Sequence, residues 1–269
     1  MTVGVFLTNA AAALRKADVS TGRLDCLVLL EDAFGADRAN LLAHLDKTIP
    51  QQTEVELNTK IAQRIRHVPL AYIRGKAMFY GREFTITGDV LVPRPESESM
   101  IDLLKALPLP AQPAIADIGT GSGCLGITTN LEVPASRVWL CDIDQKALKL
   151  AMQNSKNHGV NPQIVHADLL HNISAPFDVL LANLPYVPLD FPINRAAEYE
   201  PKLAIFAGAN GLDVYRRFWN QVSQLKHRPN FVITESLNEQ HAHLSDLAAN
   251  AGYALRASDG LAQCFEATR

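Results

Sequence analysis

The chain has 269 residues, 48% of them hydrophobic and 20% charged, enough apolar material for one large domain or two smaller ones. That balance excludes a disordered or collagen-like chain, and no run approaches the roughly 18 apolar residues that a membrane-crossing helix needs. The net charge of −3 splits mildly, with 10 Lys/Arg against 8 Asp/Glu in residues 1–76 and 15 against 20 in the remainder. A solvated surface accounts for it, and no direct contact with nucleic acid or membrane is expected.

The N-terminal stretch MTVGVFLTNAAAALRK is apolar, but no basic residue precedes Arg15. It reads as a helix rather than a secretory signal, and a cytoplasmic location is expected. Cys26, Cys124, Cys141 and Cys264 lie far apart, without C-x-x-C or zinc-type spacing, so neither a disulfide framework nor a metal is predicted. Cys124 and Cys141 fall in segments expected to be buried.

Residues 1–76 read as a small helical module. Leu24, Leu27, Leu30 and Phe34 recur at spacings of three and four, with Gly35 at the expected C-cap; Leu57, Ile61 and Ile65 repeat the stripe. The Arg64/Arg66/His67 cluster is read as an exposed helix face. Residues 77–95 form a connector. In it MFYGREFTITGDVLV has the aromatic and β-branched texture of a hairpin, followed by the stiff Val92-Pro93-Arg94-Pro95. Glu96 and Glu98 then open a helix, where acidic side chains suit the macrodipole.

Residues 96–269 alternate short apolar runs with helices. The runs 114–118, 138–141, 164–167, 179–182 and 231–234 lack polar alternation, and the helix 145–157 separates two of them. Such runs predict a doubly wound parallel sheet covered on both faces, an α/β fold. Residues 253–255 and 264–267 suggest an antiparallel hairpin at its edge. His241-x-His243 resembles a metal pair, but a spacing of two puts the rings on different helix faces.

The chemistry-bearing pattern starts after the first run. Asp117-Ile118-Gly119-Thr120-Gly121-Ser122-Gly123 lets the backbone turn sharply and a ligand approach the amides at the next helix. Gly121-x-Gly123-x-x-Gly126, with Asp142 21 residues beyond Gly121, fits a nucleoside-containing cofactor whose ribose hydroxyls the carboxylate accepts. NAD and S-adenosylmethionine both satisfy it. Asp117 favours the latter, since an acid at this point accepts from a cationic amino group that NAD lacks. Asp168 is placed either to meet an adenine edge, with Leu169 packing beside it, or to cap a strand end.

A second pattern, Asn183-Leu184-Pro185-Tyr186, follows the fourth run and should face the same crevice. The Asn183 side-chain carbonyl and the Leu184 backbone carbonyl offer two fixed acceptors for the N–H groups of a primary amide or exocyclic amine. Tyr186 can pack against the planar group. Orienting a delocalised amide nitrogen toward an electrophile is worth several kcal/mol. Arg94 either positions substrate or pairs with an acid.

In this order, across nearly its whole length, the chain resembles the HemK/PrmC-type release factor glutamine methyltransferases. The resemblance runs from the helical module through Pro69-Leu70-Ala71-Tyr72-Ile73 with Gly75, and Phe79-x-Gly81-x-x-Phe84. It continues through Val92–Glu98, Asp117–Gly123, Asp142, Asp168, Asn183–Tyr186 and Glu200-Pro201 to Gly211-Leu212-Asp213-x-Tyr215-Arg216. It implies a Rossmann-like S-adenosylmethionine-dependent domain, preceded by helices that help hold a protein substrate. Gly119–Gly123 and Asp142 would surround the cofactor, and Asn183–Tyr186 the glutamine side chain of a release factor. The implied reaction is an in-line displacement without metal. Three residues depart from the family pattern: Leu184 for proline, Leu237 for glycine, and Gln263 near a usual arginine.

Several rivals share parts of this pattern. A ribosomal-protein glutamine methyltransferase shares both main motifs, and a ribosomal-RNA adenine dimethyltransferase shares the tetrapeptide but not the Pro-Arg-Pro-Glu segment or the helical module. A nicotinamide oxidoreductase lacks its hydride-transfer constellation here, and Leu184 alone favours a binding module without turnover.

Overall fold

The computed structural model describes residues 1–171, 173 and 175–268. They form two compact units, residues 1–75 with 194–199, and residues 76–193 with 200–269.

The first unit contains α1 (Val3–Lys16), α2 (Gly22–Phe34), α3 (Arg38–Ala43), α4 (Gln51–Ile65) and α5 (Leu70–Arg74). Thr2 caps α1 through its side chain, and Gly35 closes α2 in the left-handed conformation. Phe6, Leu14, Cys26, Leu29, Leu30 and Leu57 make the core. The expected stripe is buried at Leu27, Leu30, Leu57 and Ile61, but Leu24 is 47% exposed, because α2 turns Asp25, Cys26 and Leu29 inward beside Leu30, and Ile65 at the end of α4 is 37% exposed. A carboxylate carried inside this way needs a cation, and Arg64 Nε donates to Asp25 Oδ2 at 2.7 Å. Arg64 is therefore a nearly buried ion-pair partner, not part of an exposed basic face.

The second unit opens with a hairpin, β1 (Lys76–Phe79) and β2 (Arg82–Thr85), turning through Tyr80 and Gly81. A single 3-10 turn at Pro95–Ser97 leads into α6 (Glu98–Lys105). There follow β3 (Ala114–Ile118), α7 (Cys124–Glu132), β4 (Arg137–Asp142), α8 (Gln145–Asn157), β5 (Gln163–His166) and β6 (Val179–Ala182). The chain ends with α9 (Asp213–Ser223), β7 (Phe231–Glu235), α10 (His241–Asn250), β8 (Tyr253–Asp259) and β9 (Ala262–Ala267).

The seven-stranded sheet has the order β5-β4-β3-β6-β7-β9-β8. The first five strands are parallel, and β9 runs antiparallel to both its neighbours. Every position of β3, β6 and β7 is buried, which is why their sequences are apolar except for Asp117, Thr234 and Glu235 toward their carboxyl ends. Cys141 is buried as expected, whereas Cys124, at the start of α7, is only partly covered. On one face α9 buries Tyr215, Phe218, Trp219 and Val222 at helical spacing, and Trp219 meets Tyr253 and Phe265 with centroids 5.4 Å away. From β3 the chain winds outward to β4 and β5, then returns to β6 on the other side. The carboxyl ends of β3, β4 and β6 therefore flank a crevice at the point where strand order reverses.

Candidate active site

The crevice floor is the turn from β3 into α7. Gly119 and Thr120 donate their amides to the Cys141 carbonyl at 2.8 and 3.0 Å, pinning the turn to the end of β4. Gly119 has φ +74, and a β-carbon there would stand 3.0 Å from Leu184 Cδ2, so any side chain at this position would be strained. Gly126 is required for a different reason. A β-carbon would meet Leu140 Cδ2 at 2.2 Å, so its absence lets α7 lie against β4. The hairpin is tied to the same floor by buried Asn154, whose amide joins Thr85 of β2 to the Ser122 carbonyl.

Asp142, at the end of β4, accepts from the Gly121 amide through Oδ2 and from the Asp144 amide through Oδ1, each at 2.9 Å. Burial pushes its carboxyl above the usual range, with those amide bonds opposing. Asp117 is 1% exposed, and its Oδ2 accepts from the Thr120 hydroxyl at 2.5 Å and the Gly126 amide at 2.9 Å. Burial raises its pKa to about 7 against those two bonds, with the charge on Asp142 adding to the rise. The site holds two crowded carboxyls, and among the described residues no cation is bonded to either, an arrangement suited to a ligand that brings positive charge.

Leu169, after β5, is buried in the left-handed conformation at φ +56, and its amide has no protein acceptor among the described residues. A branched side chain held there costs on the order of 1–2 kcal/mol, which the surrounding packing sustains. Asp168 is bonded to Arg217 of α9, so its carboxylate is partly spent on a neighbour.

Gly119, Gly121, Asp142, Asp168, Leu169, Asn183, Leu184 and Pro185 line one open cleft of about 180 Å³. A second, smaller cavity is lined by Arg94, Asp117, Thr120 and Ser122, and shares Gly119, Gly121 and Asn183 with the first. Two sequence-predicted residues line neither. Gly123 caps α7, and Tyr186 turns its hydroxyl inward to donate to Glu235 Oε1 at 2.9 Å.

Asn183 donates through Nδ2 to Ser97 Oγ at 2.8 Å. Neither its Oδ1 nor the Leu184 carbonyl meets a protein donor among the described residues. Leu184 is 3% exposed, with its side chain under the glycine turn and its amide 3.4 Å from the Tyr215 hydroxyl. The N–H that a proline would lack thus has a partner. Arg94 donates to Glu200 Oε1 at 2.7 Å, and Oε2 of the same buried carboxylate accepts the Val92 amide at 3.1 Å. Of the two expectations for Arg94, the structure shows the acid pair.

Three side chains that hold the site were given no role in the sequence, although Tyr215 lies in the motif that starts at Gly211. The fully buried Tyr215 hydroxyl lies 2.7 Å from the Ala182 carbonyl and 2.6 Å from the Glu235 carbonyl, bridging β6 and β7 where the strands part. Gln240 donates to the carbonyls of Tyr186 and Asn210 at 2.7 and 2.9 Å. Glu235 itself, 1% exposed at the end of β7, lies behind the tetrapeptide. Among the described residues no His/Cys/Asp/Glu cluster could hold a metal, and no helix is long and apolar enough to cross a membrane.

The doubly wound sheet, the glycine turn and the paired strand-end acids define the fold of the class I S-adenosylmethionine-dependent methyltransferases. A solved methyltransferase from Pyrococcus furiosus shares it, with a TM-score of 0.53 at 14% identity over 82% of this chain and 100% of that one. The model of the PrmC N-terminal domain matches residues 6–75, and that of the methyltransferase small domain matches residues 98–196. A release factor glutamine methyltransferase of Koribacter versatilis is 32% identical over 228 residues, 82% of this chain and 81% of that one. Its counterpart from Deinococcus radiodurans is 33% identical over 213 residues, 78% of this chain and 77% of that one. The chain belongs to the release factor glutamine methyltransferase family.

Proposed function

We propose that this protein transfers a methyl group from S-adenosylmethionine to the side-chain amide nitrogen of the glutamine in the Gly-Gly-Gln loop of peptide chain release factors. The observation that carries the reading is the pair of unspent acceptors, Asn183 Oδ1 and the Leu184 carbonyl, beside the glycine turn. Two acceptors match the two N–H groups of a primary amide, and fixing both turns its nitrogen toward one direction of attack.

The cofactor fits the residues present. Asp142 would take the ribose hydroxyls with the lone pairs its two amide bonds leave open. The Leu169 amide would donate to the adenine ring, with Asp168 at its edge. Asp117, raised to about 7 and without a cationic partner among the described residues, would receive the ammonium group near Thr120 and Ser122. When bound, S-adenosylmethionine supplies a methyl group made electrophilic by its sulfonium.

The protein's own work is positioning. Asn183 and Leu184 hold the amide, Pro185 stiffens the turn, and Tyr186 braces it from behind. Arg94 acts on the substrate indirectly, by holding the Val92–Pro95 strap to Glu200.

The test is intact-mass analysis of a release factor incubated with this protein and S-adenosylmethionine, with fragmentation to place the added mass. One methyl on the loop glutamine is expected; no added mass, with cofactor binding confirmed by calorimetry, overturns the substrate assignment. Asn183→Ala should reduce turnover at least about a hundredfold while cofactor affinity stays within a few-fold. Full activity in that variant would refute the role given to Asn183.

A further inference from the structure

Glu235 is a buried carboxylate for which neither sheet pairing nor cofactor contact gives a reason. It ends β7, is 1% exposed, and lines neither cavity. Its Oε1 accepts the Tyr186 hydroxyl at 2.9 Å, while the buried Oε2 has no hydrogen bond of full geometry. Burial raises its pKa; Ser97, Tyr186 and Asn183 all face the carboxylate and oppose that rise, and the charge on Glu96 adds to it. Donors from two separate segments, Ser97 on one and Asn183 with Tyr186 on the other, thus surround one acceptor, and Tyr186 makes the bond of full geometry. Its backbone is immobilised as well, since both its amide and its carbonyl meet the Tyr215 hydroxyl.

Ser97 is the link between this carboxylate and the proposed substrate grip. Its Oγ accepts from Asn183 Nδ2 at 2.8 Å, and its own hydroxyl proton has no other acceptor among the described residues. Ser97 alone could not orient the Asn183 amide, because a hydroxyl accepts from an NH2 group as readily as it donates to a carbonyl. An ionised carboxylate only accepts. Ionised, Glu235 would draw the Ser97 proton toward itself and leave the Ser97 lone pairs for Asn183. An inverted amide would set Asn183 Oδ1 against a carboxylate oxygen, a contact between two acceptors.

We propose that Glu235 is a positioning residue that, through Ser97, fixes the Asn183 side chain with its nitrogen turned inward and Oδ1 presented to the substrate amide, while holding Tyr186 in the same tetrapeptide. This rests on the reaction proposed above and names the group that sets the geometry of its substrate grip. Glu235→Gln keeps the shape but converts one acceptor into a donor, so Ser97 is pulled between two NH2 groups. Ser97→Ala removes the link while leaving Glu235 in place.

The experiment compares the full chain with Glu235→Gln, Ser97→Ala and the double variant in methyl transfer to a release factor. Each single change should lower kcat by about ten- to a hundredfold, with the dissociation constant for S-adenosylmethionine within twofold. The double variant should be no slower than the worse single one, since both interrupt the same chain of contacts. A Glu235→Gln protein retaining half or more of the kcat would overturn the proposal. So would losses that multiply in the double variant while cofactor affinity falls in step, which is general damage to the fold.

A second readout does not depend on the reaction. In protein labelled with 15N-asparagine, the Asn183 side-chain NH2, assigned by its loss in Asn183→Asp, should exchange with solvent at least tenfold faster in Glu235→Gln and Ser97→Ala. Unchanged exchange in both overturns the inference. Faster exchange without any methylation by the unaltered chain would leave the positioning intact and refute the assigned reaction instead.

Discussion

If Asp117 receives the cofactor's ammonium group, binding must follow the ionisation of that carboxyl. Its pKa is about 7, raised by burial against the Thr120 and Gly126 bonds and further by Asp142. The ammonium group favours the charged form, so below pH 7 the ligand must displace a proton, and affinity must rise with pH. With a pKa of about 7, roughly 9% of Asp117 is ionised at pH 6.0 and roughly 70% at pH 7.4. An ordinary α-amino group titrates near 7.7–8.0, so about 98% and about 70% of the ligand carries its charge at those two values. The product of the two fractions predicts about a sixfold tighter complex at pH 7.4, with release of about 0.9 proton per ligand at pH 6.0.

Calorimetry in buffers of different ionisation enthalpy measures both quantities, and Asp117→Asn should bind more weakly and lose the rising limb. Equal affinity at pH 6.0 and 7.4, or an unchanged pH profile in Asp117→Asn, would refute the placement of the ammonium group. Without ligand the sign reverses. A carboxyl raised above its unfolded value of 3.8 contributes stability that is full below that value and lost as pH rises through about 7. Ligand-free thermal stability should therefore decline across the range in which cofactor affinity improves.

Tyr215→Phe deletes a hydroxyl shared by the Ala182 and Glu235 carbonyls, at a cost of about 1–3 kcal/mol in urea unfolding. It should also lower kcat more than cofactor affinity, and wild-type values of both would show the bridge to be redundant. Gly126→Ala places a methyl 2.2 Å from Leu140 Cδ2 and 3.0 Å from Asp117, so α7 must back away from the sheet. Cofactor affinity should then fall at least about tenfold, as expected when overpacking displaces a binding loop by a few tenths of an ångström or more. Unaltered binding by calorimetry would mean that the helix absorbs the methyl without moving the turn.

The parts legible in the sequence are those whose physics is local. Mainly apolar runs marked β3, β6 and β7 because both faces of those strands are covered, and the acids at 117 and 142 were visible because each stands at or next to the carboxyl end of such a run. The helical unit was legible as helices and in most of its facing, but not at Leu24 or Asp25. Leu24 and Leu27 fit the same spacing, and only the docking of α2 with Asp25 inward decides that Leu24 stays exposed. The support of the tetrapeptide was illegible for another reason. Ser97 lies 86 residues from Asn183, Tyr186 lies 49 from Glu235, and Gln240 lies 54 from Tyr186, distances over which no sequence period carries information. Arg94 could be read two ways until its partner Glu200, 106 residues later, was placed beside it.

That last pair has a consequence for how ligands arrive. Val90 and Leu91 line one side of the cleft, Pro201 and Ala204 another, and Glu200 joins the two segments through Arg94 and the Val92 amide. The join is made by protein groups alone, so no ligand contact is spent on holding these walls together. The entropy of assembling them is borne during folding, and an incoming nucleoside loses mainly its own freedom.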